Sequence, residues 1–174
     1  MGTERITKSS QLLPISTELQ LTEQLKYVGR GGLKMENFLL DSGYTVAGLH
    51  ILDLGASTGG FTDCLLQQGA AEATCVDVGH GQLHYRLRTD NRVHNFEKTN
   101  LRNIAPEDIP DSPFHFIVMD LSFISLRKVL PMAWSFLAPG GKIVSLIKPQ
   151  FECKKEEADL GKGIIRDPEI HNRV

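Results

Sequence analysis

Two lysines and one aspartate stand where a folded chain could bring them together. Residues 114–120 and 142–148 are apolar runs that predict strands, and they end on Asp120 and Lys148. A buried ammonium is costly unless it is paired, so a lysine that closes an apolar strand indicates a partner, and Asp120 is available. Lys34 follows a glycine loop at a predicted helix start, where the helix dipole disfavours a cation. An ion pair that only braces the strand ends is the alternative interpretation.

A second set of candidate residues lies in residues 51–63. Residues 51–54 predict a strand, 55–60 a loop of small residues and 62–68 a helix. Strand, glycine loop and helix form the first turn of a nucleotide-binding α/β unit. The loop reads Gly-Ala-Ser-Thr-Gly-Gly and lacks the G-x-G-x-x-G spacing that seats a pyrophosphate, which disfavours an NAD-dependent oxidoreductase.

The acids around this loop favour a cationic ligand. Asp53 precedes the loop, and Asp77 ends the next apolar run, where such folds place an acid against ribose hydroxyls. A carboxylate repels phosphate, whereas S-adenosylmethionine has no phosphate and carries a positive sulfonium and amino group. We therefore predict S-adenosylmethionine as the cofactor, the alternative being a tight turn that binds nothing. The predicted contacts are Asp53, Gly55, Ala56, Ser57, Thr58, Gly59, Gly60, Phe61, Asp77, Val78, Asn100 and Asp120.

Strands alternate with helices along the chain. Strands are predicted at 51–54, 73–76, 93–97, 114–120 and 142–148, and Pro139-Gly-Gly141 is expected to stop a helix at 126–137. A helix after the loop at 27–34 is expected to turn Leu33, Phe38, Leu39 and Leu40 inward. This alternation predicts an α/β fold that is Rossmann-like, with a mostly parallel sheet and helices on both faces. We expect residues 1–26 to be a linker remnant and residues 27–174 to form one domain.

Composition narrows the function class. The chain has 174 residues, a mass of 19.3 kDa and a net charge of −2, which predicts one globular domain. No apolar run approaches the roughly 20 residues of a membrane helix, and the N-terminus lacks a signal-peptide core. Three widely spaced cysteines indicate reduced thiols in a cytoplasmic protein.

The net charge bears on RNA binding, and the spacing of two histidines bears on metal binding. The net charge is not that of a stand-alone nucleic-acid binder, so an RNA substrate requires a local basic face. Arg30, Arg86 and Arg88 are the candidates for that face, and scattered solvated arginines are the alternative. His80 and His84 have the i,i+4 spacing of metal ligands without a third ligand beside them, so no metal is predicted.

Six motifs follow one another along the chain: Tyr27-Val-Gly-Arg-Gly-Gly-Leu-Lys34, Asp53-Leu-Gly-Ala-Ser-Thr-Gly-Gly-Phe-Thr-Asp-Cys64, Val76-Asp-Val-Gly-His-Gly-Gln-Leu83, Asp120-Leu-Ser-Phe-Ile-Ser125, Lys148-Pro-Gln-Phe-Glu152 and Gly161-Lys-Gly-Ile-Ile-Arg-Asp-Pro168. In this order they resemble the TlyA, or hemolysin A, family. TlyA proteins are similar to FtsJ-like methyltransferases, which transfer a methyl group from S-adenosylmethionine to ribose 2′-hydroxyls of ribosomal RNA. The resemblance implies that activity here, on cytidine in 16S and/or 23S RNA, with ribosomal RNA or a ribosomal subunit as the partner.

The resemblance also implies a Lys-Asp-Lys-Glu catalytic set, whose first three members match Lys34, Asp120 and Lys148. A lysine accepts a proton only where desolvation and a second ammonium favour its neutral form. We predict that Lys148 is the base, that Lys34 orients the ribose hydroxyl and that Asp120 positions both lysines. The family glutamate lies beyond Val174, and its N-terminal RNA-binding domain has no counterpart before Tyr27. We therefore expect a chain that lacks C-terminal strands and binds the cofactor without necessarily transferring the methyl group.

Two other functions compete with this one. A methyltransferase acting on a small molecule would use the same cofactor, but Lys34 and the three arginines argue against it. A membrane-lytic protein is suggested by the old family name, yet no apolar 20-mer or strongly basic amphipathic helix supports it.

Overall fold

A computed structural model describes residue 6, residues 10–19 and residues 25–174. It contains a five-stranded sheet in the order β3-β2-β1-β4-β5, and every neighbouring pair is parallel. This confirms the predicted α/β class with a parallel sheet. The predicted linker, residues 1–26, falls partly outside the described residues and stays a prediction. The strands are β1 His50–Leu54, β2 Glu72–Val76, β3 Val93–Phe96, β4 Phe114–Met119 and β5 Leu137–Ser145.

Helices connect the strands and follow the last one. A short 3-10 turn, Pro106–Asp108, precedes β4. The α-helices in the described residues are α1 Gly31–Ser42, α2 Gly60–Gln67, α3 Tyr85–Arg88, α4 Leu126–Ser135, α5 Pro149–Glu152, α6 Lys155–Leu160 and α7 Pro168–Arg173.

Apolar side chains cover both faces of the sheet. On one face, Met35 of α1 and Leu65 of α2 belong to the same buried cluster as Ile51 of β1. On the other face, Val129 of α4 belongs to a buried cluster with Leu52 of β1. A central strand with helices on both sides has no polar face, which explains why β1 and β4 are nearly continuous apolar runs.

The buried face of α1 differs from the prediction. Met35 and Leu39 are buried, whereas Leu33 and Leu40 are exposed, so the prediction was wrong for these two leucines. Residues four apart lie on the same side of a helix, and the contact with α2 places the 35/39 side inward. Apolar residue type alone does not reveal which side of a helix a neighbouring helix will cover.

The segment Pro139-Gly-Gly141 was predicted to stop a helix and instead lies inside β5. α4 ends at Ser135, and the turn at Phe136 leads directly into the strand. The register of β4 against β5 shifts between Phe114 and Phe116, which accommodates the irregular segment. Gly140 has a φ of 77°, a backbone conformation that glycine adopts without strain. The strand therefore begins earlier than its apolar pattern indicates.

Candidate functional site at the carboxyl edge of the sheet

Asp120 lies between two lysine side chains just beyond the carboxyl end of β4. The Nζ atom of Lys148 is 2.6 Å from Asp120 Oδ1, and the Nζ atom of Lys34 is 3.1 Å from Asp120 Oδ2. Lys148 also donates a hydrogen bond of 2.9 Å to Ser122 Oγ, a contact that the sequence did not predict. The structure thus brings together three predicted catalytic residues from three separate segments.

Lys34 reaches this position because α1 is held close to α2. A Cβ atom on Gly60 would lie 3.0 Å from the backbone nitrogen of Gly32, so both helix starts need small residues at their contact. In the loop before α1, the backbone N–H of Val28 donates a 2.8 Å hydrogen bond to Asp63 of α2. Asp63 is buried and was not predicted to matter. Its neighbours in sequence are ordinary for a helix, so no local signal marked it.

The two lysines act on the charge of Asp120. Burial is the largest single influence and raises the pKa of this carboxyl, but the hydrogen bonds and charges of Lys148 and Lys34 together outweigh it. The pKa of Asp120 therefore lies below its usual value, and the carboxylate is ionised at neutral pH. The side chain of Lys148 is 22% exposed and that of Lys34 is 52% exposed, so Lys148 is the more desolvated cation.

A cavity of about 490 Å³ opens beside Lys34 and Asp120. It extends along the glycine loop, so predicted catalytic residues and predicted cofactor residues face one space. A volume of this size is in the range of small-molecule sites. The lining residues are Arg30, Gly31, Lys34, Asp53, Gly55, Ala56, Ser57, Thr58, Gly60, Phe61 and Asp120.

Backbone conformation and close packing both require glycine at two positions of the loop. Gly55 has a φ of 83° and Gly59 a φ of 89°, values that side-chain-bearing residues rarely adopt. A Cβ atom on Gly55 would lie 2.6 Å from Leu121, and one on Gly59 would collide with Leu83 and Leu87. Leu121, Leu83 and Leu87 therefore pack against one side of the loop, and its other side lines the cavity.

Asp77 holds two loops together at the end of β2. Its Oδ2 atom accepts a 2.8 Å hydrogen bond from the backbone N–H of Ser57, and its Oδ1 atom accepts one of 2.7 Å from Gly79. Ser57 has a φ of 50°, and the hydrogen bond that its N–H donates to Asp77 stabilises this conformation. A carboxylate has about four acceptor positions, so Asp77 keeps capacity for further donors such as ribose hydroxyls.

Asp53 is buried beneath the loop and lines the cavity floor. Thr62 Oγ1 donates a 2.7 Å hydrogen bond to its Oδ2 atom. Burial raises the pKa of Asp53 to about 7, with the charges of Asp120 and Asp77 adding to the effect and the Thr62 hydrogen bonds opposing it. A cation bound in the cavity would favour the ionised form, because opposite charges attract most strongly where water is excluded.

Other predicted contacts lie outside the cavity. Gly59 and Asp77 contact residues of the loop and its surroundings but are not among those that line the cavity. Val78 is exposed at the surface. Asn100 is also exposed, and its Oδ1 atom accepts a hydrogen bond of 3.0 Å from the backbone N–H of Arg102. Their predicted role in cofactor binding stays a prediction.

Basic and aromatic side chains lie around the site. Arg30 lines the cavity itself, and Arg86 and Arg88 are exposed on α3. Phe123, which the sequence did not single out, is 90% exposed, and its ring centroid lies 5.3 Å from that of Phe151. Its φ is 64°, a strained conformation that persists only where the surroundings impose it.

Comparisons with known proteins identify the family of the chain. The model of the FtsJ-like methyltransferase family matches residues 27–174. The 16S/23S rRNA (cytidine-2′-O)-methyltransferase TlyA of Mycobacterium tuberculosis is 45% identical over 147 residues, which are 84% of this chain and 54% of that protein. A solved structure from Streptococcus thermophilus, provisionally named a hemolysin, is 44% identical with a TM-score of 0.82 and covers 88% of this chain and 55% of its own.

A more distant structure shows the fold alone. An S-adenosylmethionine-dependent methyltransferase from Mesorhizobium loti is 20% identical with a TM-score of 0.53, over 67% of this chain and 54% of its own. The predicted Rossmann-like methyltransferase fold is thereby confirmed. The chain spans about half the length of each of these three proteins.

Proposed function

The chain belongs to the FtsJ-like methyltransferase family, and we propose that it transfers a methyl group from S-adenosylmethionine to a cytidine ribose 2′-hydroxyl of 16S and/or 23S ribosomal RNA. One observation carries the proposal: Lys34 and Asp120 line the same cavity as the glycine loop, and Lys148 forms an ion pair with Asp120. The 45% identity to a TlyA enzyme supports the proposed substrate. Its site of action is then the cytoplasm, with the ribosome.

The cavity suits the proposed cofactor. Two carboxylates, Asp53 and Asp120, face the space in which a sulfonium and an amino group need negative neighbours. Asp77 closes the loop beside them and retains acceptor positions for ribose hydroxyls. When bound there, S-adenosylmethionine supplies an activated methyl group. The chain supplies its binding and its orientation toward Lys34 and Asp120.

Lys148 is the proposed proton acceptor. It is the less exposed of the two lysines, and its Nζ atom lies 2.6 Å from Asp120 Oδ1. Lys34, nearer to solvent, orients the incoming hydroxyl, while Asp120 and Ser122 hold the Nζ atom of Lys148 in place. Much of the rate comes from keeping hydroxyl and methyl group near contact.

Features around the cavity favour RNA over a small molecule. Arg30, Arg86 and Arg88 offer positive charge for phosphates, and the exposed ring of Phe123 offers a surface on which an unpaired base can stack. A membrane-lytic function gains no such support. In residues 6, 10–19 and 25–174, no helix combines the length and apolar character needed to cross a membrane.

Calorimetric titration with S-adenosylmethionine, using NADH as the control ligand, tests the cofactor. Radiolabelled methyl transfer by a full-length version of the protein to purified ribosomal subunits tests the substrate, with a matched RNA carrying 2′-deoxycytidine as the negative control. We expect binding of S-adenosylmethionine alone and transfer only to the 2′-hydroxyl. Binding of NADH would contradict the cofactor assignment, and methylation of a base would contradict the reaction.

A further inference from the structure

Two histidines and a glutamate meet at the amino edge of the sheet, opposite the proposed methyl-transfer site. His50 begins β1, Glu72 begins β2 and His94 lies in β3. The parallel register pairs His50 with Glu72 and Thr74 with His94. Residues two apart in a strand share a face, so these four side chains project from the same side of three adjacent strands.

The distances within this cluster suit a shared metal ion. Glu72 Oε2 lies 3.6 Å from His50 Nδ1 and 3.4 Å from His94 Nε2, and the potential ligand atoms of the three residues lie within 4.8 Å of one another. Charge-assisted hydrogen bonds are shorter, at about 2.7–2.9 Å. Two ligands bound at about 2.0–2.1 Å to a tetrahedral ion are separated by about 3.4 Å.

His50 is already oriented for such a role. Its Nε2 atom lies 3.0 Å from the hydroxyl of Thr74, which is fully buried, and its ring packs edge-on against Phe114 with centroids 5.1 Å apart. When Nε2–H donates to Thr74, the lone pair of Nδ1 faces Glu72 and His94. Metal-bound histidines almost always donate their other N–H to a neighbouring acceptor in this way.

We propose that His50, Glu72 and His94 bind a divalent first-row transition-metal ion, for which Zn²⁺ is the best fit. Two imidazoles and one carboxylate form a ligand set that zinc accepts with water in the remaining position. The three side chains are 22%, 49% and 43% exposed, so the ion and its water can enter from solvent. The ion would join β1 and β2 to β3, which pairs with only one strand in the described sheet.

Metal titration of tag-free, chelator-treated protein tests the proposal. Co²⁺ binding followed by visible absorption, and Zn²⁺ competition with a chromophoric chelator, should each give one equivalent. The Co²⁺ spectrum should show nitrogen and oxygen coordination, without the charge-transfer band of a thiolate. Such a band would assign the ion to a cysteine such as Cys153 and overturn the proposal.

Variants distinguish metal binding at this cluster from nonspecific metal binding elsewhere on the protein. His94→Ala and Glu72→Gln each remove a ligand and should weaken binding by about 100-fold or more, a loss at least as large as that for an outer partner. Thr74→Val removes only the orienting hydroxyl and should weaken binding by about 10-fold. His80→Ala is the matched control, because His80 also contacts a glutamate, Glu97, but belongs to no such three-residue group in the described part of the chain. Unchanged affinity in His94→Ala would overturn the proposal.

Thermal melting provides an independent measurement. Zn²⁺ should raise the Tm of the wild-type protein and of His80→Ala, because a ligand that binds only the folded state stabilises it. It should leave the Tm of His94→Ala unchanged. A wild-type protein that melts cooperatively yet binds neither Co²⁺ nor Zn²⁺ in excess would contradict the site directly. The metal-free melt of each variant shows whether it is folded, since both histidine side chains replaced here are partly exposed.

Discussion

At the scale of single residues, the site depends on one carboxylate shared by two unequal cations. Lys34 and Lys148 both contact Asp120. Among the residues that the structure describes, only Lys148 has a second polar partner, Ser122, and it is the more buried of the two lysines. Residue types and strand ends were sufficient to predict the two lysines and Asp120. The hydrogen bond of Ser122 could not be predicted, because a serine after a strand is common and its partner comes from another strand.

In a full-length version of the protein, replacing Lys148 by alanine should abolish detectable methyl transfer to ribosomal subunits, a loss of about 10²–10⁴-fold for a proton acceptor. Cofactor affinity should change little, because Lys148 does not line the cavity. Lys155→Ala, which removes an exposed lysine of α6, is the control. Single-turnover transfer and calorimetry measure the two quantities, and retained transfer would exclude Lys148 as the base.

The raised pKa of Asp53 predicts a pH-dependent stability. This carboxyl has a pKa of about 7 in the folded protein against an ordinary value of 3.8, so between these values the folded state binds more protons than the unfolded state. Its contribution to the free energy of unfolding therefore falls as pH rises from about 4 to 7. Asp53→Asn should remove that part of the pH dependence. Urea unfolding of both proteins across this range measures it, and parallel profiles would contradict the assignment.

The same carboxyl predicts the pH dependence of cofactor binding. A cationic ligand favours the ionised form of Asp53, so the affinity for S-adenosylmethionine should rise as pH passes upward through about 7. In Asp53→Asn this rise should be absent. Calorimetric titration below and above that pH compares the two proteins, and an equal rise in both would assign the effect to another group.

At the scale of elements, strands were predicted more accurately than the helix that carries Lys34. β1, β2 and β4 are buried on both faces, so their apolar runs alone reveal them, within one residue at each end. The inward side of α1 depends on where α2 lies, which no local pattern contains. The early start of β5 depends on a register shift opposite Phe114 and Phe116, which is likewise a property of two strands together.

Asp63 should connect the stability of α1 to catalysis. Asp63→Ala leaves the backbone N–H of Val28 without its acceptor and should lower the free energy of unfolding by about 1–3 kcal/mol. It should also slow methyl transfer more than it weakens cofactor binding, because the loop before Lys34 loses its anchor. Asp41→Ala, at an exposed position of α1, is the control for both assays. Equal losses in the two variants would refute this role.

At the scale of the whole molecule, the parallel sheet separates two regions of different chemistry. The carboxyl edge gathers Lys34, Asp120 and the glycine loop, and the amino edge gathers the His50 cluster. Sequence reasoning anticipated the first region, because functional residues collect at the carboxyl ends of parallel strands. It did not find the second, because those ligands come from three strands and no spacing along the chain relates them.

The distribution of charge predicts how RNA binding responds to salt. The net charge is −2, so attraction to phosphates must come from local cations such as Arg86 and Arg88. Replacing both by alanine should weaken binding to ribosomal RNA and reduce the dependence of log K on log salt by about 2. Arg92→Ala is the control, because Arg92 is paired with Asp90 at 2.7 Å. An unchanged slope in filter-binding assays would contradict the assignment of α3 to the RNA-binding surface of the protein.

The packing of Gly59 has a consequence for how the cofactor and RNA affect each other's binding. Leu83 and Leu87 rest on this glycine, and the backbone N–H of His84 donates a 3.2 Å hydrogen bond to the carbonyl of Thr58. The segment that carries the α3 arginines thus packs against the glycine loop. If RNA binds α3 and the cofactor binds this loop, as proposed, a displacement of α3 by RNA would also move the loop, and by thermodynamic reciprocity each ligand would change the affinity of the other by the same factor.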